Sequence, residues 1–135
     1  MNLKTAIYEQ LTNDPAITAI VGNRVYRTFA PEATTPFISF QRITAVNQND
    51  IDCVTERYQF DLVGTVESDD ILEELKEKLL DNLNRFRGDL GNTGMKVKNT
   101  WLDVIADGFS EDNSLRRITI DFKFAYLRQE QEVEQ

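Results

Sequence analysis

The feature that most constrains the fold is an alternation near the C-terminus. Ile118, Ile120, Phe122, Phe124 and Tyr126 alternate with Arg117, Thr119, Asp121, Lys123 and Ala125. A period of two belongs to a strand with one buried and one solvated face. Tyr58, Phe60 and Leu62 alternate with Arg57, Gln59 and Asp61 in the same way. Between these strands, Leu72, Leu75, Leu79, Leu83 and Phe86 recur every three or four residues, on one face of a helix. The sequence therefore predicts an α+β fold. It has a mainly antiparallel sheet, one long helix from Ser68 to Arg87 packed on a face, and one or two N-terminal helices.

The ends of these elements follow from capping chemistry. Asn2 caps a first helix over 2–13, with Leu3, Ile7 and Leu11 on one face. Asp14 and Pro15 start a short second helix carrying Ala16, Ile17, Ile20 and Val21, and Gly22 ends it. Val25, Tyr26 and Phe29 suggest a short strand, and a loop with Pro31 and Pro36 leads to a strand over 37–43. Residues 45–52 are rich in Asn and Asp and read as a long hairpin tip before a return strand from Cys53 to Val66. Gly64 marks a bulge or a close packing contact. Ser68 is placed to cap the long helix, with Asp69 and Asp70 at its positive end and Gly88 at its C-terminal cap. Gly91-Asn92-Thr93-Gly94 is a turn cluster. Met95 to Ile105 reads as a strand broken at Asn99-Thr100, and 107–113 as a polar loop before the last strand. Expected core residues are Leu11, Ile38, Phe40, Tyr58, Phe60, Leu62, Leu75, Leu79, Ile118, Ile120, Phe122 and Phe124, and a lone Trp101 in an apolar strand reads as core as well. Residues 1–127 form one domain, and 128–135, with Glu130, Glu132 and Glu134, an acidic tail read as disordered.

Composition removes most chemistry. The chain has no histidine and one cysteine, Cys53, so Ser-His-Asp and Cys-His catalysis and a structural zinc site have no ligands or base. Cys53 has no activating base near it in sequence and reads as a small strand residue. Asp103, Asp107, Glu111 and Asp112 cluster in sequence without EF-hand spacing, which favours a solvated acidic loop over a cation site. Gly22-Asn23-Arg24 and Gly91-Asn92-Thr93-Gly94 match no phosphate-binding fingerprint. No metal, cofactor or catalytic residue is assigned, and the chain is read as a non-enzyme. A net charge of −8, with scattered Lys and Arg, disfavours binding to phosphate backbones. No apolar run approaches the roughly 20 residues of a membrane span.

Element order then points to a family. Leu11, Asp14, Ile17, Ile20, Val21, Gly22, Arg24, Val25 and Tyr26 follow the pattern that closes the first helical segment in tail completion, or tail terminator, proteins of long-tailed bacteriophages and prophages. Pro36, Phe37 and Ile38 follow the pattern that opens their sheet. The chain resembles that family over residues 3–127, by residue pattern in the first 40 and by element order beyond. The resemblance implies a structural virion protein in the tail or neck, made in the cytoplasm of the bacterial host. It implies a ring, often a hexamer, at the head-proximal end of the tail tube, which ends tube polymerisation and joins tail to head. Its partners would be other copies of itself, the tail-tube protein and the head connector or stopper, with DNA sliding through unbound. A neck adaptor and a host α+β ligand-binding module are the alternatives. For the assembly interface the sequence offers the two polar segments, through Asn47, Gln48, Asn49 and Asp50 and through Asp107, Glu111 and Asp112. Both read as longer than hairpins require, and long loops in compact domains are often functional.

Overall fold

A computed structural model describes residues 2–28, 34–48, 52–110 and 114–128. Helix α1 spans Leu3–Thr12 and α2 spans Pro15–Val21. Asn2 caps α1 by accepting the Thr5 N–H at 2.8 Å, and Asp14 caps α2 by accepting that of Ala16 at 2.9 Å. Strands β1 (Val25–Tyr26), β2 (Phe37–Gln48) and β3 (Cys53–Thr65) follow, then a 3-10 turn over Val66–Ser68 and helix α3 (Asp69–Leu83). The chain closes with β4 (Gly88–Leu90), β5 (Met95–Val97), β6 (Asn99–Phe109) and β7 (Leu115–Leu127). The main sheet has the order β1-β2-β3-β7-β6, antiparallel except for the β1–β2 pair, while β4 and β5 form a separate hairpin. The expected α+β architecture is thus the one observed.

All twelve expected core residues are buried. Phe40, Phe60 and Phe122 run across three neighbouring strands, with ring centroids 5.4 and 5.8 Å apart at successive contacts. Leu72, Leu75, Leu79 and Leu83 of α3 are buried, as are Leu3, Ala6, Ile7 and Leu11 of α1, in one apolar cluster with the inward face of the sheet. Asn82 of α3 locks the three helices together. Its amide donates to the Gln10 carbonyl at 3.3 Å and to the second oxygen of Asp14 at 2.8 Å. Gly64 is a close packing contact, not a bulge: an added Cβ would lie 3.1 Å from the Leu72 side chain. The bulges fall instead at Arg42/Thr44 and Leu102/Val104.

Several boundaries differ from expectation, each for a tertiary reason. The long helix stops at Leu83, short of Arg87. Asn84 turns to an extended conformation, and its side-chain carbonyl accepts the Leu102 N–H at 3.1 Å. Arg85 takes the left-handed conformation at φ 67° and donates its N–H to Thr100 O at 2.7 Å. Docking onto β6 therefore ends the helix before Gly88, which begins β4. Ser68 does not cap α3 with its side chain. The hydroxyl donates to Thr65 O at 3.0 Å and closes the preceding turn. The strand break falls at Lys98, between β5 and β6. Trp101 is half-buried on β6, the outermost strand, because no element covers that edge's outer face among the described residues.

Candidate functional site

The expected interface loops are largely strand. Residues 45–48 continue β2, with Val46 opposite Thr55, Asn47 opposite Val54 and Gln48 opposite Cys53. The polar run is carried by the ladder, since Thr44 and Val46 suit a strand and Asn and Gln can occupy an exposed register position. Asp107 likewise lies in β6 opposite Ile118, and Ser110 N donates to Leu115 O at 3.0 Å to close the turn. Both connections are therefore shorter than read from sequence. Asn49, Asp50, Glu111 and Asp112 lie outside the described residues, as does the tail beyond Arg128. Asn47 and Gln48 sit on β2 and Asp107 on β6, which are separated by β3 and β7, so these residues form no single site.

The acids of the 103–112 region are divided as well. Asp103 faces Arg57 at 3.6 Å, beside the Arg57–Asp121 ion pair, on the solvated side of the sheet. Asp107 accepts from Arg116 at 3.0 Å near the start of α3. That guanidinium also pairs with Glu73 at 3.1 Å and with Asp69, and its side chain is 12% exposed. A hydrogen bond from Lys76, and then one from Arg116, holds the Glu73 carboxyl below its ordinary value. Arg116 thus ties the helix start to β6 and β7. Among the described residues no group of three His, Cys, Asp or Glu could hold a metal ion, and no helix is long and apolar enough to cross a membrane.

One polar centre has no counterpart in the sequence reading. Glu56 is 5% exposed and sits in phase with Tyr58 and Phe60 on the inward face of β3. Its carboxylate accepts from Tyr126 OH at 2.6 Å, Tyr58 OH at 3.3 Å and Arg42 at 3.3 Å. These groups line an open cavity of about 730 Å³ with Lys4, Gln41, Met95 and Arg128. Burial, and then the neighbouring Glu56 carboxylate, pushes the Tyr58 phenol well above its ordinary value of 10.0. Burial, and then the hydrogen bond to Glu56, does the same for Tyr126. Both phenols therefore stay protonated and donate to the carboxylate. The arrangement ties β2, β3 and β7 together at this end of the sheet. Its signal was an acid in register with a buried face.

The patterned N-terminal residues make one local junction. Gly22 ends α2 at φ 61°, with its N–H on Thr18 O at 2.8 Å. Arg24 then reaches across and donates from Nε to Pro36 O at 3.0 Å. Val25 and Tyr26 pair in parallel with Ile38 and Ser39, and the Tyr26 ring meets Phe37 edge-on at 5.8 Å. The two halves of the pattern are therefore in contact, and each residue has a packing task.

The sequence model of the tail completion protein gp17 family matches residues 5–127. The chain belongs to that family. Tail completion proteins are structural virion proteins, and this chain is accordingly a structural tail protein of a phage-like particle. Its fold is similar to that of a chain in the virion of a native gene transfer agent particle, with a TM-score of 0.73. Sequence identity there is 18%, over 91% of this chain and 92% of that one. No curated protein sequence matches this one.

Proposed function

We propose that this tail completion protein forms a ring at the head-proximal end of the tail tube, where it ends tube growth and presents a surface to the head connector. The observation that carries this reading is the family match over residues 5–127, whose patterned residues build the junction around Arg24 and Pro36. A subunit of this kind needs a rigid body with two different contact surfaces that meet head-to-tail. The buried sheet face and three helices supply the body, and the sheet edges and solvated face remain for contact. The partners are then other copies of the chain, the tail-tube protein and the connector. The net charge of −8 suits a lumen through which DNA slides without sticking, since like charges repel. The chain needs no cofactor for this role and performs no catalysis. Synthesis in the bacterial host cytoplasm precedes incorporation into the virion.

Immunogold electron microscopy of particles tests the placement. Label confined to the head–tail junction is expected. Label along the tube or over the capsid would contradict it.

A further inference from the structure

We infer that neighbouring copies join by strand addition, with the free edge of β6 in one subunit pairing antiparallel to the free edge of β2 in the next. The inference rests on the ring reading above and names the surfaces that make the ring.

Each outer edge of the sheet is covered at one end and open at the other. On β2, the short β1 pairs only with Ile38 and Ser39, which leaves 41–46 with no further strand on that side among the described residues. On β6, Asn84 and Arg85 bond Leu102 and Thr100, which leaves 103–109 with no further strand on that side among the described residues. The two open segments are nearly equal in length. Unpaired edges are normally blunted by short strands, Pro, β-bulges or inward charges. Each edge here carries one bulge, at Arg42/Thr44 and at Leu102/Val104, and one charge in register with the inward face, Arg42 and Asp107, yet both are long and both carry exposed apolar side chains: Ile43 and Val46 on β2, and Val104, Ile105 and Phe109 on β6. Val46 is 60% and Phe109 55% exposed. Only two other large apolar residues among those described are exposed, Val66 and Ile71, in the turn before α3 and its first turns.

Three properties select a second copy, placed head-to-tail, as the occupant. The first is strand sense. β2, β3, β7 and β6 alternate in direction, so β6 of a copy in the same orientation runs antiparallel to β2. The second is charge. Arg42 is the only charged residue of β2, and Asp103 and Asp107 are the only ones of β6. Pairing β6 with β6 about a two-fold axis at the centre of its open segment would bring the two Asp107 carboxylates close, which is destabilising, whereas head-to-tail pairing sets Arg42 beside Asp107. The third is register. Centring the two open segments sets Val46 opposite Val104, with Arg42 one place along from Asp107. Val46 and Val104 then project on the same solvated face, since their own ladder partners are Thr55 and Asp121.

The open segments lie in opposite halves of the sheet, so each copy steps along the strands by about 15 Å, from a rise of about 3.3 Å per residue. Such a contact closes into a ring only when the strands tilt to the ring axis, as in a closed barrel.

Disulfide trapping in assembled particles tests the contact. The full-length chain carries Cys53→Ser, then Val46→Cys, Val104→Cys or both. After mild oxidation, a non-reducing gel should show a ladder of covalent multimers from the double variant and monomer only from each single variant. A dimer from either single variant would establish a two-fold contact and overturn the proposal. Absence of a ladder from particles that contain the double variant would overturn it too, while leaving the ring reading intact. Particles that complete their tails without the protein would overturn the ring reading and this inference together. As a second variant, Ile105→Lys should melt like the parent, because the side chain is already 42% exposed, yet its incorporation into particles should fall at least about tenfold. Unchanged incorporation would contradict edge pairing.

Discussion

At Phe122 the ring is fully buried and meets Phe60 edge-on at 5.8 Å, so Phe122→Ala should cost roughly 3–5 kcal/mol in denaturant unfolding. A loss below about 1 kcal/mol would mean that the cavity collapses or that the face is mis-assigned. Gly91 is constrained by backbone on the other side. It adopts φ 67°, and an added Cβ would lie 2.6 Å from Ala6 O and 2.9 Å from Gln10 N of α1. Neither atom can swing aside, so Gly91→Ala should lower stability by roughly 1–3 kcal/mol and loosen the β4–β5 hairpin from α1. Near-parent melting would show that the hairpin can rise off the helix without cost. The Tyr58 and Tyr126 phenols predict an alkaline limb. Their folded pKa values lie above the ordinary value of 10.0, so their contribution is complete below that pH and is lost as pH rises beyond it. Melting temperature should begin to fall near pH 10, and Tyr126→Phe should make that fall shallower. An identical limb in the variant would remove this pair from the alkaline response.

At the scale of elements, what was legible had a period and what was not had a partner. Strand alternation and the leucine spacing of α3 placed the sheet, the helix and the buried faces, because burial writes itself directly into local pattern. The end of α3 did not, since Asn84 and Arg85 stop it by bonding to β6, where Leu102 lies 18 residues beyond Asn84. The polar stretch 45–48 was misread for a similar reason: Asn and Gln resemble a turn until the facing residues 53–56 recruit them into a ladder. Trp101 was misread because its burial depends on strand order, and β6 lies at the edge. Arg116 belongs to this scale as well. Replacing it with Gln leaves Asp69, Glu73 and Asp107 without their shared cation, and unfolding should become easier by roughly 1–3 kcal/mol. The Glu73 carboxyl is held low, so its share of that stability is present above the ordinary glutamate value of 4.5 and disappears as pH falls through the folded value. The gap between Arg116→Gln and parent should therefore narrow on acidification, and a gap independent of pH would contradict the ion-pair account.

For the whole molecule, family membership places the chain among structural tail proteins, and the proposed step is that copies of it end a tube. Little of that step was legible in sequence. Ile43, Val46, Val104, Ile105 and Phe109 lie in two distant stretches, and only the order β1-β2-β3-β7-β6 puts those stretches on opposite edges. The domain reading has a simple test. Deleting 129–135 keeps the Arg128 N–H on Asp52 O at 3.1 Å, and melting temperature should move by less than about 2 °C. A larger drop would show that the acidic end supports the domain. The most direct measurement of the central claim is the distribution of tail lengths in electron micrographs of particles made without this protein. The account predicts overlong tails detached from heads, with normal length and attachment restored when the intact chain is supplied. Tails of normal length joined to heads in its absence would contradict it.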